Sequence, residues 1–121
     1  MTISGMYVDT SGFERFLNRL VDDTTMLRIH QMIARRCDPY VPYDTGRLSQ
    51  SGLANVSAQG IKYLPFYSYE QYCGVNFHHK TEHHPKATAY WDKVMMQERG
   101  DEVKQEIQEI LARRARELNG E

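Results

Sequence analysis

Apolar residues recur at three- and four-residue steps near both ends of the chain and lose that step in the middle. Phe13, Phe16, Leu17 and Leu20 share one helical face. Ser11 stands where a cap would, with Glu14 three residues on, the capping-box spacing. The polar run Asp22-Asp23-Thr24-Thr25 is a poor helix interior and predicts a break, with Asp22 or Asp23 capping a second helix. That helix carries Met26, Leu27, Ile29, Ile33 and Ala34. It ends at Arg35-Arg36-Cys37, where positive charge suits the carbonyl end. His30 reads as an exposed or core-edge residue of this helix, without a task. Ahead of both helices, weak alternation through Ile3, Met6 and Val8 predicts a short strand over 5–9.

The middle of the chain reads differently. Pro39-Tyr40-Val41-Pro42 cannot continue a helix, because each proline lacks an N–H and crowds the preceding turn. Asp44-Thr45-Gly46 adds turn chemistry: two side chains able to cap N–H groups, and a glycine free to take positive φ. Residues 39–48 therefore form a rigid corner between a helical front and a segment that reads as sheet. From Ser49 to Lys62 no helical period is visible. Leu53-Ala54-Asn55-Val56-Ser57 predicts a strand, Gln59-Gly60 a hairpin turn, and residues 60–64 the return strand.

Pro65 ends that strand. Residues 66–74 alternate as a strand would, yet Pro65 before them and Gly74 after them favour a short helix with glycine at its C′ position. The stretch from Val75 to Pro85, a loop or a loose hairpin arm, carries four histidines. From Ala87 onward Trp91, Val94, Met95, Val103, Ile107, Ile110, Leu111 and Leu118 predict the longest helix. Its acidic residues lead and its basic residues follow, which favours the dipole and i,i+4 pairing. Gly100 is its weak point, costing about 1 kcal/mol against alanine, so the helix bends there or restarts with Asp101 as cap.

Composition narrows the function classes. A chain of 121 residues is expected to be a single domain over 1–121, large enough to bury about two thirds of its unfolded surface. Lys and Arg number 15 against 16 Asp and Glu, for a net charge of −1. A general nucleic-acid binder needs a basic surplus, so only a local patch through Arg35, Arg36, Arg47, Lys62, Arg113, Arg114 and Arg116 keeps that reading open. No apolar run approaches the length that spans a bilayer, and residues 1–13 lack the features of a secretory signal. Cys37 and Cys73 are too few for a disulfide framework and read as free thiols in a reducing compartment.

Candidate chemistry is sparse. Cys73 with His78, His79, His83 and His84 could supply metal ligands, but the spacing matches neither C-x-x-C nor H-E-x-x-H, and convergent carboxylates are missing. A polar loop is the simpler reading, and no cofactor is expected. No nucleophile motif is present, and Cys73 reads as an inert, small hydrophobe. The aromatics are the stronger signal: Tyr40, Tyr43, Tyr63, Phe66, Tyr67, Tyr69, Tyr72, Phe77, Tyr90 and Trp91 crowd one stretch. Core packing and a subunit interface explain them equally well. Base stacking stands below both, since no Lys or Arg lies between 63 and 77.

Three segments then carry a resemblance. Pro42-Tyr43-Asp44-Thr45-Gly46-Arg47-Leu48 with Ser51 resembles the P-x-D-T-G-x-L-x-x-S segment of small phage neck and tail-completion proteins. Tyr69-Glu70-Gln71-Tyr72-Cys73-Gly74 resembles the Tyr-rich segment of that group. Residues 84–95, with Pro85, Ala87, Thr88, Trp91, Asp92, Lys93 and Met95, resemble the start of the final helix in phage minor capsid proteins. Order and spacing match over residues 6–118. The histidine-rich loop is the departure from the pattern.

The resemblance implies an α+β fold, a small antiparallel sheet packed against N-terminal helices and a long C-terminal helix. It implies a non-enzymatic virion protein at the head–tail junction, held in the host cytoplasm before assembly and acting as a ring or axial assembly. Its implied partners are other copies of itself and neighbouring connector, stopper or tail proteins, with passing contact to DNA in the channel and none to membrane. Asp44, Thr45, Arg47, Tyr69 and Tyr72 become interface candidates, and Trp91 the core anchor of the last helix. The alternatives are a small metal-binding protein built on Cys73 and the 78–84 loop, or a nucleic-acid-binding domain.

Overall fold

A computed structural model describes residues 18–74 and 83–120. The expected strand at 5–9 and the Ser11 cap lie outside them. The break before the second helix falls at Val21–Asp22. Helix α1, Asp23–Cys37, starts where Asp22 accepts the Thr25 N–H at 3.0 Å. Its inward face is Thr25, Ile29, His30, Met32, Ile33, Ala34 and Cys37, and Arg35 and Arg36 lie in its last turn. Pro39 sits in the 3₁₀ turn Asp38–Tyr40 that follows.

The corner then leads into a helix rather than a strand. Helix α2, Arg47–Ala54, corrects the non-helical reading of residues 49–62. The strands shrink to β1, Val56–Ser57, and β2, Gly60–Ile61, an antiparallel hairpin with Val56 opposite Ile61 and Ser57 opposite Gly60. Helix α3, Ser68–Cys73, is the short helix expected, closed by Gly74 at φ 80. Glycine tolerates that left-handed cap without the steric cost a β-carbon brings.

The long helix α4, Trp91–Leu118, begins four residues later than Ala87. Tyr90 explains the delay: at φ 51, ψ 46 it is left-handed and cannot sit inside a helix. Its N–H is held by the Tyr72 carbonyl at 2.8 Å. The anticipated bend occurs at Arg99, whose φ −126 and ψ 15 leave the helical region beside Gly100.

The fold is α+β, with a small antiparallel sheet, helices before it and a long C-terminal helix. Helix α1 lies along α4 and also meets the hairpin. Ile29, Met32, Ile33, Cys37, Tyr40, Val41, Leu48, Trp91, Met95 and Val103 make the core between them. Each large apolar side chain buried there contributes about 1.5–3 kcal/mol. Along the α1–α4 seam run ion pairs. Arg28 meets Glu117 at 3.1 Å, Arg36 meets Glu102 at 2.7 Å and also Glu106, and Arg114 meets Asp22. Pairs this exposed add about 0–1 kcal/mol each. Their order, early residues of α1 to late residues of α4, fixes the antiparallel register.

His30 corrects the edge-of-core reading. It is 1% exposed, and its Nδ1 lies 2.9 Å from the Ser57 carbonyl, tying α1 to the hairpin. Its Nε2 is buried without a hydrogen-bond partner among the described residues.

Candidate functional site

The corner and α3 face one another across an open cleft of about 400 Å³. It is lined by Pro42, Asp44, Thr45, Gly46, Arg47, Leu48, Tyr67, Glu70 and Gln71. The corner is stiff for local reasons. Val41 and Pro42 are buried. Gly46 holds φ 85, and a β-carbon there would stand 2.5 Å from the Tyr43 hydroxyl oxygen. Thr45 Oγ1 accepts the Arg47 N–H at 3.4 Å, a long bond, and Gly46, the residue before α2, gives that helix no side-chain cap. Asp44 and Arg47 are exposed, and among the described residues no ion pair ends on Arg47.

A clasp closes the corner from the other side. Ser49 Oγ donates to Asp38 Oδ1, and Asp38 Oδ2 lies 3.4 Å from His84 Nε2. His84 Nδ1 lies 2.7 Å from the Val41 carbonyl, and the Thr88 N–H reaches the Tyr40 carbonyl at 3.0 Å. Tyr43 packs its ring against His83 and His84 at 4.6 and 4.9 Å. Serine, aspartate and histidine are together here, but the serine donates to the carboxylate and not to the imidazole. That wiring fastens the 83–88 segment to the corner and gives Ser49 no general base.

The interface candidates divide. Asp44, Thr45 and Arg47 line one cleft. Tyr69 points outward at 77% exposed, beside Phe66 at 95% and Leu64. Tyr72 turns inward, and its hydroxyl donates to Asp92 Oδ1 at 2.6 Å. Trp91 is 3% exposed and meets Tyr63 and Tyr72 edge-on at 5.1 and 4.9 Å. Those three rings, with Cys37, Ile61 and Asp92, border a second cavity of about 190 Å³. Burial and the Asp92 and Asp38 charges push the Cys37 thiol up to about 12. Burial pushes the Tyr63 phenol up, and burial with the Asp92 hydrogen bond does the same to Tyr72. All three groups stay protonated at neutral pH.

Sequence reasoning missed Asp38, and it named Tyr90 only among the crowded aromatics and Asp92 only within the final-helix segment. The crowding of aromatics was the one signal for the second cavity, and it said nothing of which rings would converge. For the metal reading, no group of three or more His, Cys, Asp or Glu among the described residues could hold an ion. His78 and His79 lie outside those residues. No helix among them is long and apolar enough to cross a membrane.

A family model described as "Minor capsid protein" matches residues 5–113. No curated protein and no solved structure matches the chain. With nearly the whole sequence matched, the chain belongs to the phage minor capsid protein family, and its role is that of a virion structural protein.

Proposed function

We propose that this minor capsid protein works at the head–tail junction, as a subunit of the connector, neck or tail-completion assembly, by binding rather than by catalysis. The observation that carries the reading is the pairing of a rigid cleft with an exposed aromatic rim. Asp44, Thr45 and Arg47 stand on a corner that Tyr43, Gly46 and the Asp38–His84 clasp hold still. Phe66 and Tyr69 project from the segment that forms the opposite wall. Exposed aromatics beside an arginine with no ion pair among the described residues have the composition of protein interfaces. A ring subunit needs such a surface, because a heterologous contact repeated around an axis closes after a fixed number of copies.

The partners on this reading are further copies of the chain and the adjoining connector, stopper or tail proteins, with DNA passing through the channel. Electron microscopy of lysates from a phage lacking the gene tests it. Filled heads and separate tails are the expected outcome. Normal joined particles overturn it.

A further inference from the structure

We propose that the cavity between Tyr63, Tyr72, Trp91 and Asp92 takes one basic side chain, lysine or arginine, from a neighbouring virion protein. Tyr63 and Trp91 meet at an interplanar angle of 66°, and Tyr72 and Trp91 at 86°. These edge-on rings pack closely on one another, and with Cys37, Ile61 and Asp92 they border the space. The volume of about 190 Å³ is below the roughly 300–1,000 Å³ of sites for whole small molecules and suits a single side chain.

Charge selects the kind of side chain. Asp92 accepts the Tyr72 hydroxyl, and among the described residues no ion pair ends on it. The remaining lining is aromatic, aliphatic or a thiol that stays protonated. A neutral apolar occupant would strip water from a half-buried carboxylate and return nothing for it. A cation gains the carboxylate and the negative ring faces together. Two lysines of the chain itself are engaged elsewhere: Lys93 lies 5.4 Å over the Tyr90 ring and Lys86 lies 5.6 Å over Tyr40.

The box is also built at some cost. Gly52 gives up a side chain so that the Tyr63 ring can lie against α2. Tyr90 holds left-handed backbone to join α3 to the start of α4, its ring 5.1 Å from Tyr72. Backbone strain of this kind persists where the surroundings fix it and clusters at ligand sites.

The source of the side chain rests on the assembly reading above, but the chemistry is testable on the isolated chain. Trp91 is the sole tryptophan, so its emission reports occupancy. The probes are Nα-acetyl-lysine amide, Nα-acetyl-arginine amide, the neutral Nα-acetyl-norleucine amide and tetramethylammonium. Both basic amides should give a saturable change, with norleucine amide at least about fivefold weaker. Asp92→Asn keeps an acceptor for Tyr72 and removes the charge. It should weaken the basic amides about tenfold, as loss of a charge-assisted contact does.

Norleucine amide binding as tightly as the basic amides, an unchanged affinity in D92N, or no saturable response overturns the proposal. Tetramethylammonium binding more tightly than either amide makes the occupant a free organic cation and overturns the assignment to a partner. Failure here leaves the junction reading standing, and normal particles without the gene leave the titration standing.

Discussion

A β-carbon on Gly52 would stand 2.2 Å from Cε1 of Tyr63. The glycine is there for room and not for an unusual backbone, since it lies inside α2. In an open helix, Gly→Ala gains up to about 1 kcal/mol. Here it forces the Tyr63 ring off α2, and overpacking of this kind costs about 1–3 kcal/mol. Gly52→Ala should therefore lower the urea midpoint. Because Tyr63 edges Trp91, the emission maximum should move as well.

Trp91 itself carries more. Removing a large side chain that is almost fully buried costs about 3–5 kcal/mol, so Trp91→Ala should show a large fall in denaturant midpoint. Trp91→Phe keeps an aromatic edge toward Tyr63 and Tyr72 and should recover part of the loss. Thermal or urea unfolding followed by far-ultraviolet circular dichroism checks both, since the variants lack the fluorescent reporter.

The two thiols should separate kinetically. Cys37 is 1% exposed with its thiol held protonated, whereas Cys73 is half-buried at the end of α3. A thiolate is the reacting species. Titration of the native chain with a disulfide reagent at pH 8 should modify Cys73 readily and Cys37 only on unfolding.

Much of this was legible in the sequence. Helix α1 was visible because its cap, its apolar period and its basic last turn agree. The bend in α4 was visible because Gly100 interrupts a long period, and α3 because Pro65 and Gly74 bracket it. Helix α2 was hidden for a physical reason: its inward face is Leu48, Ser49 and Gly52. Two of these carry no hydrophobic signal. Ser49 is buried because Asp38 accepts its hydroxyl, and Gly52 because Tyr63 covers it. His30 was misread for a related reason, since the hairpin carbonyl that receives it lies 27 residues away. The same limit applies to the aromatic box, whose walls come from three separate segments.

Acid should loosen the α1–α4 seam. The hydrogen bond from Arg36 holds Glu102 below the ordinary glutamate range, and that from Arg28 does the same for Glu117. Partial burial raises the Asp22 carboxyl, but the Thr25 N–H and Arg114 more than offset it, leaving it lowered. A carboxylate with a depressed folded-state pKa stabilises the protein above its unfolded value, and that contribution is lost as pH falls through the folded one. Stability should be level above about pH 5 with respect to these groups and decline below about pH 4. High salt should shrink the effect. Urea midpoints measured across pH 3–7 at two ionic strengths check this.

Surface variants should separate folding from assembly. Phe66→Ser and Arg47→Ala remove exposed side chains with no described ion pair, so stability should stay within about 0.5 kcal/mol. On the junction reading, virion yield should drop in both. Complementation of a gene-deleted phage with each variant, alongside thermal midpoints of the purified chains, measures the two quantities separately.

The ion pairs along the seam carry a consequence for how the chain reaches its fold. Arg36 finds its carboxylates 66 and 70 residues downstream, Arg28 reaches across 89, and Asp22 waits 92 for Arg114. Contacts so distant in sequence slow folding, since a large loop must close before they contribute. During synthesis α1 emerges early, and although the hairpin can cover part of it, the face that meets α4 stays uncovered until α4 exists. Newly made subunits are therefore most exposed to aggregation before the last helix arrives, and a chain cut short within α4 leaves the first helix without its partner.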